Sequence, residues 1–278
     1  MRFATPLLML VCFLAAPVRT SAQGGSACNN LPNAAAVRQA LQAVVNQPGQ
    51  PNGGLDNNMW ASVVNRDGEV CGVVFSGNDR GDQWPGSRVI SAQKANTANA
   101  FSLPAGSAGI LPGLSLSTAN LYSAVQPGGS LFGLQESNPV NTHAAYGGNA
   151  GNQANDSMVG ETIGGVNVFG GGLALYDLTG RLLGGIGVSG DTSCTDHVVA
   201  WKVRHLLNLD SVPTGVAPGG TDNMVQDIVT NATGHQVSPS GFGHPTCLNN
   251  PSPTLLQAAC PTGPSASLVA CIAAVVTP

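Results

Sequence analysis

The sequence predicts an α/β protein of the α+β type, an antiparallel sheet flanked by helices. Three observations predict it. Residues 60–65 and 70–75 are apolar, strand-like runs around Arg66-Asp67-Gly68-Glu69, a hairpin signature. Residues 173–177 and 182–189 make a second such pair around Thr179-Gly180. Helical patterns at 33–46, 87–101 and 192–207 do not alternate singly with strands, as a doubly wound parallel sheet would require.

Each element follows from its residues. In 33–46, Val37, Leu41, Val44 and Val45 share one face at helical spacing, and Asn33 is placed to cap the start. Residues 48–54 are a turn-rich break, and 77–86 form a polar loop with Asn78, Asp79, Arg80 and Asp82. The helix 87–101 carries a stripe of small residues, Val89, Ala92, Ala95 and Ala98, that lets another helix or a flat ligand come close. After a Gly/Pro-rich stretch, 117–125 reads as a short helix. Residues 126–163 are long, irregular and rich in Gly and Asn, a length that in a compact domain signals function or mobility. Regular structure is expected to resume at 166–169 and to continue into the second hairpin. The last helix carries His197, Val199, Ala200, Val203, Leu206 and Leu207, with Asp191 as its expected cap and His205 on a solvated face. From 211 to 278 the composition turns to Gly, Pro, Thr and Asn with Cys247, Cys260 and Cys271, a loop-rich extension with a weakly apolar end at 268–276.

The N-terminal residues have the parts of a secretory signal: Arg2, the apolar run 7–16, and Thr20-Ser21-Ala22 for cleavage. The run is too short for a bilayer, which needs about 20 apolar residues. Cleavage after Ala22, export to a periplasmic or extracellular space, and no membrane span are therefore expected. The domain plan is a signal at 1–22, one domain at 23–210 with an insertion at 126–163, and the extension at 211–278. Without Cys12, six cysteines remain, an even number that favours disulfides in an exported chain, in any of about 15 pairings. Without Arg2 and Arg19 there are eight basic and fourteen acidic residues, so nucleic acid is excluded as a partner.

Several motifs carry less chemistry than their spelling suggests. Gly185-Ile-Gly187-Val-Ser-Gly190 matches a dinucleotide fingerprint, but no parallel strand follows the helix, and close backbone packing explains it better. Gly187-Val-Ser189-Gly190-Asp191 narrowly misses a nucleophile elbow. Asp196 and His197 stand about 100° apart on a helix, which suits no triad. Among His143, His197, His205, His235 and His244 no pair has His-x-x-x-His spacing, and neither Cys-x-x-Cys nor a close Cys/His grouping stands out, so a dedicated zinc site is not expected. His143, in the long loop, and His197, beside the Gly-rich turn, are the candidate ligands.

Two segments together carry a family likeness. Ser87-Arg88-Val-Ile-Ser-Ala-Gln-Lys94-Ala-Asn-Thr97-Ala-Asn-Ala-Phe101, and Gly170 to Gly180 followed by Leu183 to Gly190, resemble the GlcG/HbpS family of haem-degrading-domain proteins. The likeness spans residues 33–208. It implies a profilin-like or PAS-like sheet, self-association into a homo-oligomer, and haem or a related tetrapyrrole as ligand. By the resemblance, Thr97 of Lys94-Ala-Asn-Thr97-Ala contacts haem as a pocket residue. Lys94 and Arg88, one and about three turns earlier, are placed to meet its propionates through charge-assisted bonds. Since threonine is a poor iron ligand, His143 or His197 is the expected metal ligand. The long insertion and the cysteine-bearing tail depart from the compact family core. The sequence thus reads as an exported module that sequesters or senses haem. The alternatives are an accessory partner of another exported complex, or an enzyme that degrades haem or acts on a small metabolite.

Overall fold

The computed structural model describes residues 28–46, 52–106, 112–147 and 155–247. The expected signal segment, Cys260, Cys271 and the apolar stretch 268–276 lie outside the described residues. Both expected hairpins form. Strands β1 (Trp60–Asn65) and β2 (Val70–Phe75) pair, as do β3 (Gly172–Tyr176) and β4 (Leu182–Ser189), all antiparallel. Asn65 Oδ1 accepts the Asp67 and Glu69 amides, and Gly68 takes the left-handed φ of +81° that the first turn needs. Long-range pairing of β1 with β4, from Trp60 opposite Ser189 to Asn65 opposite Gly184, joins the hairpins into one sheet of order β2-β1-β4-β3.

Helices cover both faces of this sheet, so every β1 residue is buried despite the alternation of its side chains. On one face, α1 (Ala34–Val45) and α4 (Ser193–Leu206) pack Val37, Leu41, Val44, Val199 and Val203 against Ala61, Val63, Ile186 and Val188. Burying a side chain such as Leu41 stabilises the fold by about 2–3 kcal/mol. On the other face lies α2 (Ser87–Ala100), whose Val89, Ala92 and Ala95 meet Trp60, Val64 and Val73. Ser62 and Ser91 hydrogen-bond across the same seam at 2.7 Å. Here the Gly-rich motif finds its use. A Cβ on Gly185 or Gly187 would collide with the Ala95 or Ser91 carbonyl oxygen, so glycine lets α2 lie directly on β4.

Three local expectations are corrected. Thr192 caps α4, its side chain accepting from Thr195 N, while Asp191 accepts the Leu55 and Asn57 amides of a distant loop. Residues 117–125 form two 3-10 turns, Thr118–Leu121 and Ser123–Val125. Residues 166–169 form no strand, because side chains take their amides: Asn167 N donates to Thr97 Oγ1, and Phe169 N to Asn167 Oδ1. In the insertion, the described residues include one short helix, α3 (Thr142–Tyr146), capped by Asn141. The extension carries a small hairpin, β5 (Val229–Thr230) with β6 (Gln236–Val237). Disulfides join Cys28 to Cys71 and Cys194 to Cys247. No helix among the described residues is long and apolar enough to cross a membrane.

Candidate functional site

Helix α2 organises the region that the sequence singled out. Arg88 grips Asp156 with Nε (2.7 Å) and Nη2, and donates from Nη1 to the Ala145 carbonyl at 3.0 Å. Both members of this pair are buried. The clamp therefore ties the far end of the insertion and the body of α3 to α2. Ala144 and Ala145 of α3 pack inward against Ile163, Met158 and α2. His143 is left exposed, and Tyr146, three residues on, is 66% exposed. Spacing of three places these two rings on neighbouring parts of one helix face.

Lys94 is buried and donates to Asp196 Oδ2 at 2.7 Å and to the Val188 carbonyl at 3.1 Å. Asp196 Oδ1 accepts the Gly190 and Asp191 amides, so the pair locks the β4–α4 turn. Burial pushes the Asp196 carboxyl up to about 6, against the pull of the Lys94 charge, and pushes the Lys94 ammonium down. Thr97 Oγ1 donates to the Gln93 carbonyl and receives Asn167 N. In this structure Arg88, Lys94 and Thr97 thus bond inside the fold.

His197 is fully buried on α4 beneath the extension. Asn223 Oδ1 accepts the Met224 amide and lies 3.1 Å from His197 Nε2, which makes Nε2 the protonated nitrogen. Nδ1 is then a bare lone pair, and it has no hydrogen-bond partner among the described residues. Burial pushes this imidazole down to about 4. His205 is not solvated as expected: it is buried and bonds Asp210 at 2.7 Å. The structure joins Arg88 to the His143-bearing helix. His143 and His197 belong to different packing units, one over α2 and one under the extension. Sequence reasoning missed the counter-ions Asp156 and Asp196, which lie 68 and 102 residues from their cations. It also missed Tyr146, which the three-residue spacing from His143 would have revealed.

A four-stranded antiparallel sheet between one helix and a helix pair is a profilin-like or PAS-like α+β domain. The family model described as haem degrading protein HbpS-like matches residues 33–204, and the chain belongs to this HbpS-like family. Among solved structures, the Klebsiella pneumoniae protein ORFY is 25% identical over 63% of this chain and 90% of its own, with a TM-score of 0.40. A PduOC–haem complex is 23% identical over 64% and 96%, with a TM-score of 0.41. HbpS itself is 16% identical over 63% and 89%, with a TM-score of 0.36. No curated protein sequence matches the chain.

Proposed function

We propose that this chain is an exported haem-binding protein that sequesters or senses haem or a related tetrapyrrole, with His143 as the iron-facing side chain. The observation that carries the reading is an exposed imidazole on α3, inside the segment matched by the HbpS-like family. The donor chemistry fits: imidazole is a good axial ligand for haem iron, and the exposed Tyr146 ring offers the macrocycle an aromatic neighbour. Bound haem supplies a redox-active iron. The protein's part is to present His143 at a fixed height, through the Arg88 clamp on Ala145 and Asp156. Lys94 and Thr97 act in this reading as positioning residues, Lys94 for the β4–α4 turn and Thr97 for the segment that follows the insertion.

Binding is favoured over turnover because, of the buried carboxylates among the described residues, Asp156, Asp196 and Asp222 are each held by a cation and Asp191 is taken up by backbone amides. Export is supported by the signal-like residues 1–22 and by two disulfides. We retain the plan of a signal at 1–22, a domain at 23–210 and an extension at 211–278. Exposed Trp84, Phe132 and Phe169 offer apolar surface for a homo-oligomer.

The test is a haemin titration of the secreted protein, followed at the Soret band. Saturation at one haem per chain is expected, with His143→Ala weakening binding at least about tenfold, or 1.4 kcal/mol. A flat titration of the wild type overturns the reading in favour of an accessory partner. Progressive loss of the band with added reductant makes the protein an enzyme.

A further inference from the structure

Residues with ligand chemistry also gather at the junction of α4 with the extension, away from α3. Cys194-Thr-Asp-His197 and His244-Pro-Thr-Cys247 are two Cys/His pairs with the same two-residue spacer in opposite order. The Cys194–Cys247 disulfide brings the pairs together. The two sulfurs and a nitrogen of His244 lie within 4.8 Å of one another. His197 stands three residues along α4 from Cys194, close to one turn, and its buried Nδ1 is the bare lone pair described above. Its ligand atoms are not part of that 4.8 Å cluster, so it must close on the other three when the disulfide opens.

We propose that Cys194, His197, His244 and Cys247 form a redox-gated binding site for a zinc-type divalent cation, closed by the disulfide and opened by its reduction. Four ligands of two sulfurs and two imidazoles are the tetrahedral set that a borderline-soft cation selects. Both imidazoles are already in ligand form. His244 Nδ1 donates to the Pro245 carbonyl at 2.7 Å, and its Nε2 accepts from Ser193 Oγ at 2.8 Å. Ser193 Oγ is free to donate because it takes the Gly170 amide as acceptor. His197 is the mirror case, with Nε2–H anchored on Asn223 and Nδ1 bare. Anchoring one ring nitrogen on an oxygen is what orients a metal-binding histidine and raises its basicity. The Cys194 amide, in the first turn of α4, already points its hydrogen at Cys247 Sγ at 3.1 Å, a donor suited to a thiolate.

The chemistry balances. A phosphine reductant gives two electrons to the Cys194–Cys247 bond, which breaks, and leaves as its oxide with the oxygen of a water molecule. The two protons of that water appear on the sulfurs, and an incoming divalent cation displaces them to solvent. The sulfurs must part from bonding distance to about 3.8 Å, the separation set by two 2.3 Å zinc–sulfur bonds at a tetrahedral angle. The disulfide and the cation are thus alternative pins for one seam between α4 and the extension.

The test uses the full secreted chain, reduced without oxygen by a water-soluble phosphine and then desalted. Titration with Co2+ is expected to give one ion per chain with tetrahedral d–d absorption and a thiolate-to-cobalt band, both lost on adding Zn2+. Unreduced protein should take up none. X-ray absorption of the reduced, zinc-loaded wild type should show two sulfurs at about 2.3 Å and two nitrogens at about 2.0 Å. His197→Ala and His244→Ala should each weaken Co2+ binding at least about tenfold, while Cys28→Ser with Cys71→Ser leaves it unchanged. No uptake by the reduced protein, a shell of sulfur alone, or binding indifferent to both histidine changes overturns the proposal. The absorption measurement is made on the wild type, so its outcome does not depend on how a variant folds.

Discussion

The family core and the extension are held by different forces, and helix α4 belongs to both. Towards the sheet, α4 presents Val199, Ala200 and Val203 to a contiguous apolar cluster. Towards the extension it presents Ser193, Cys194, His197 and Arg204, which meet His244, Cys247, Asn223 and Asp222. Arg204 and Asp222 form a fully buried bidentate pair at 2.7 and 2.8 Å, with Ser115 Oγ as a third partner of the carboxylate. Apolar packing here is a small cluster around Ala119, Val198 and Met224. Elsewhere in the extension Val212 packs on Ala174 and Tyr176, and Val216 and Phe242 on the cluster of Leu116 and Leu121. The core is thus held chiefly by area removed from water, while the extension adds buried polar and covalent contacts to smaller apolar ones. Forces of the second kind have exact partners and respond to single chemical changes.

The largest separation of the two regions is expected from Arg204→Ala. It leaves Asp222 buried without its cation, at a cost of about 3–5 kcal/mol. Limited proteolysis should then cut within 210–247 under conditions where the core is intact. Replacing both partners, Arg204→Met with Asp222→Leu, should restore most of the loss. Coincident cutting and global melting would show instead that the extension is one cooperative unit with the core. Leu41→Ala, at about 3 kcal/mol, should act in the opposite manner. Denaturant unfolding should show core and extension losing stability together.

A smaller effect is expected from mild acid on the disulfide-bonded protein. His197 and His244 are buried neutral, with burial holding both down to about 4. The unfolded chain binds their protons near pH 6.5, so the stability they contribute is complete above that value and is lost as pH falls towards 4. Between pH 7 and pH 6 the two together should cost about 1 kcal/mol. Hydrogen exchange should report this first in the extension. Equal loosening of the amides of β1 and β4 would erase the distinction between the regions.

Much of the fold is legible in the sequence because its signals are local. The Asp67-Gly68 turn, the α1 stripe of Val37, Leu41 and Val44, and the Thr179-Gly180 hairpin each need a few adjacent residues. The expected 166–169 strand does not form because Thr97, seventy residues earlier, takes the Asn167 amide that a sheet would have used. His205 departs from expectation for a nearer reason, since Asp210 lies just past the helix end and curls back to it. The candidate site is less legible. Arg88 and Lys94 read as free cations until folding delivers Asp156 and Asp196 to them. The Cys194-x-x-His197 and His244-x-x-Cys247 pairs are in plain view and meet the close Cys/His spacing that a cation site wants. Sequence reasoning passes over them because each pair alone lacks two of the four ligands. Only the disulfide shows that the two belong together.

The outer edge of β2 has a further consequence. Val70 exchanges backbone hydrogen bonds with Glu161 and Gly160, and Cys71 is bridged to Cys28. At the far end, Arg38 and Gln42 of α1 donate to the carbonyls of Phe75, Gly77 and Ser76. An open edge of this kind is where sheets from separate copies join and where aggregation starts. On the other edge, Thr118, Arg204 and Leu209 meet the backbone of β3 at Gly172, Ala174 and Tyr176. With both ends of β2 and the edge of β3 so occupied, copies of this chain that associate are directed away from the edges of the four-stranded sheet, which is thereby guarded against growing into a continuous intermolecular sheet.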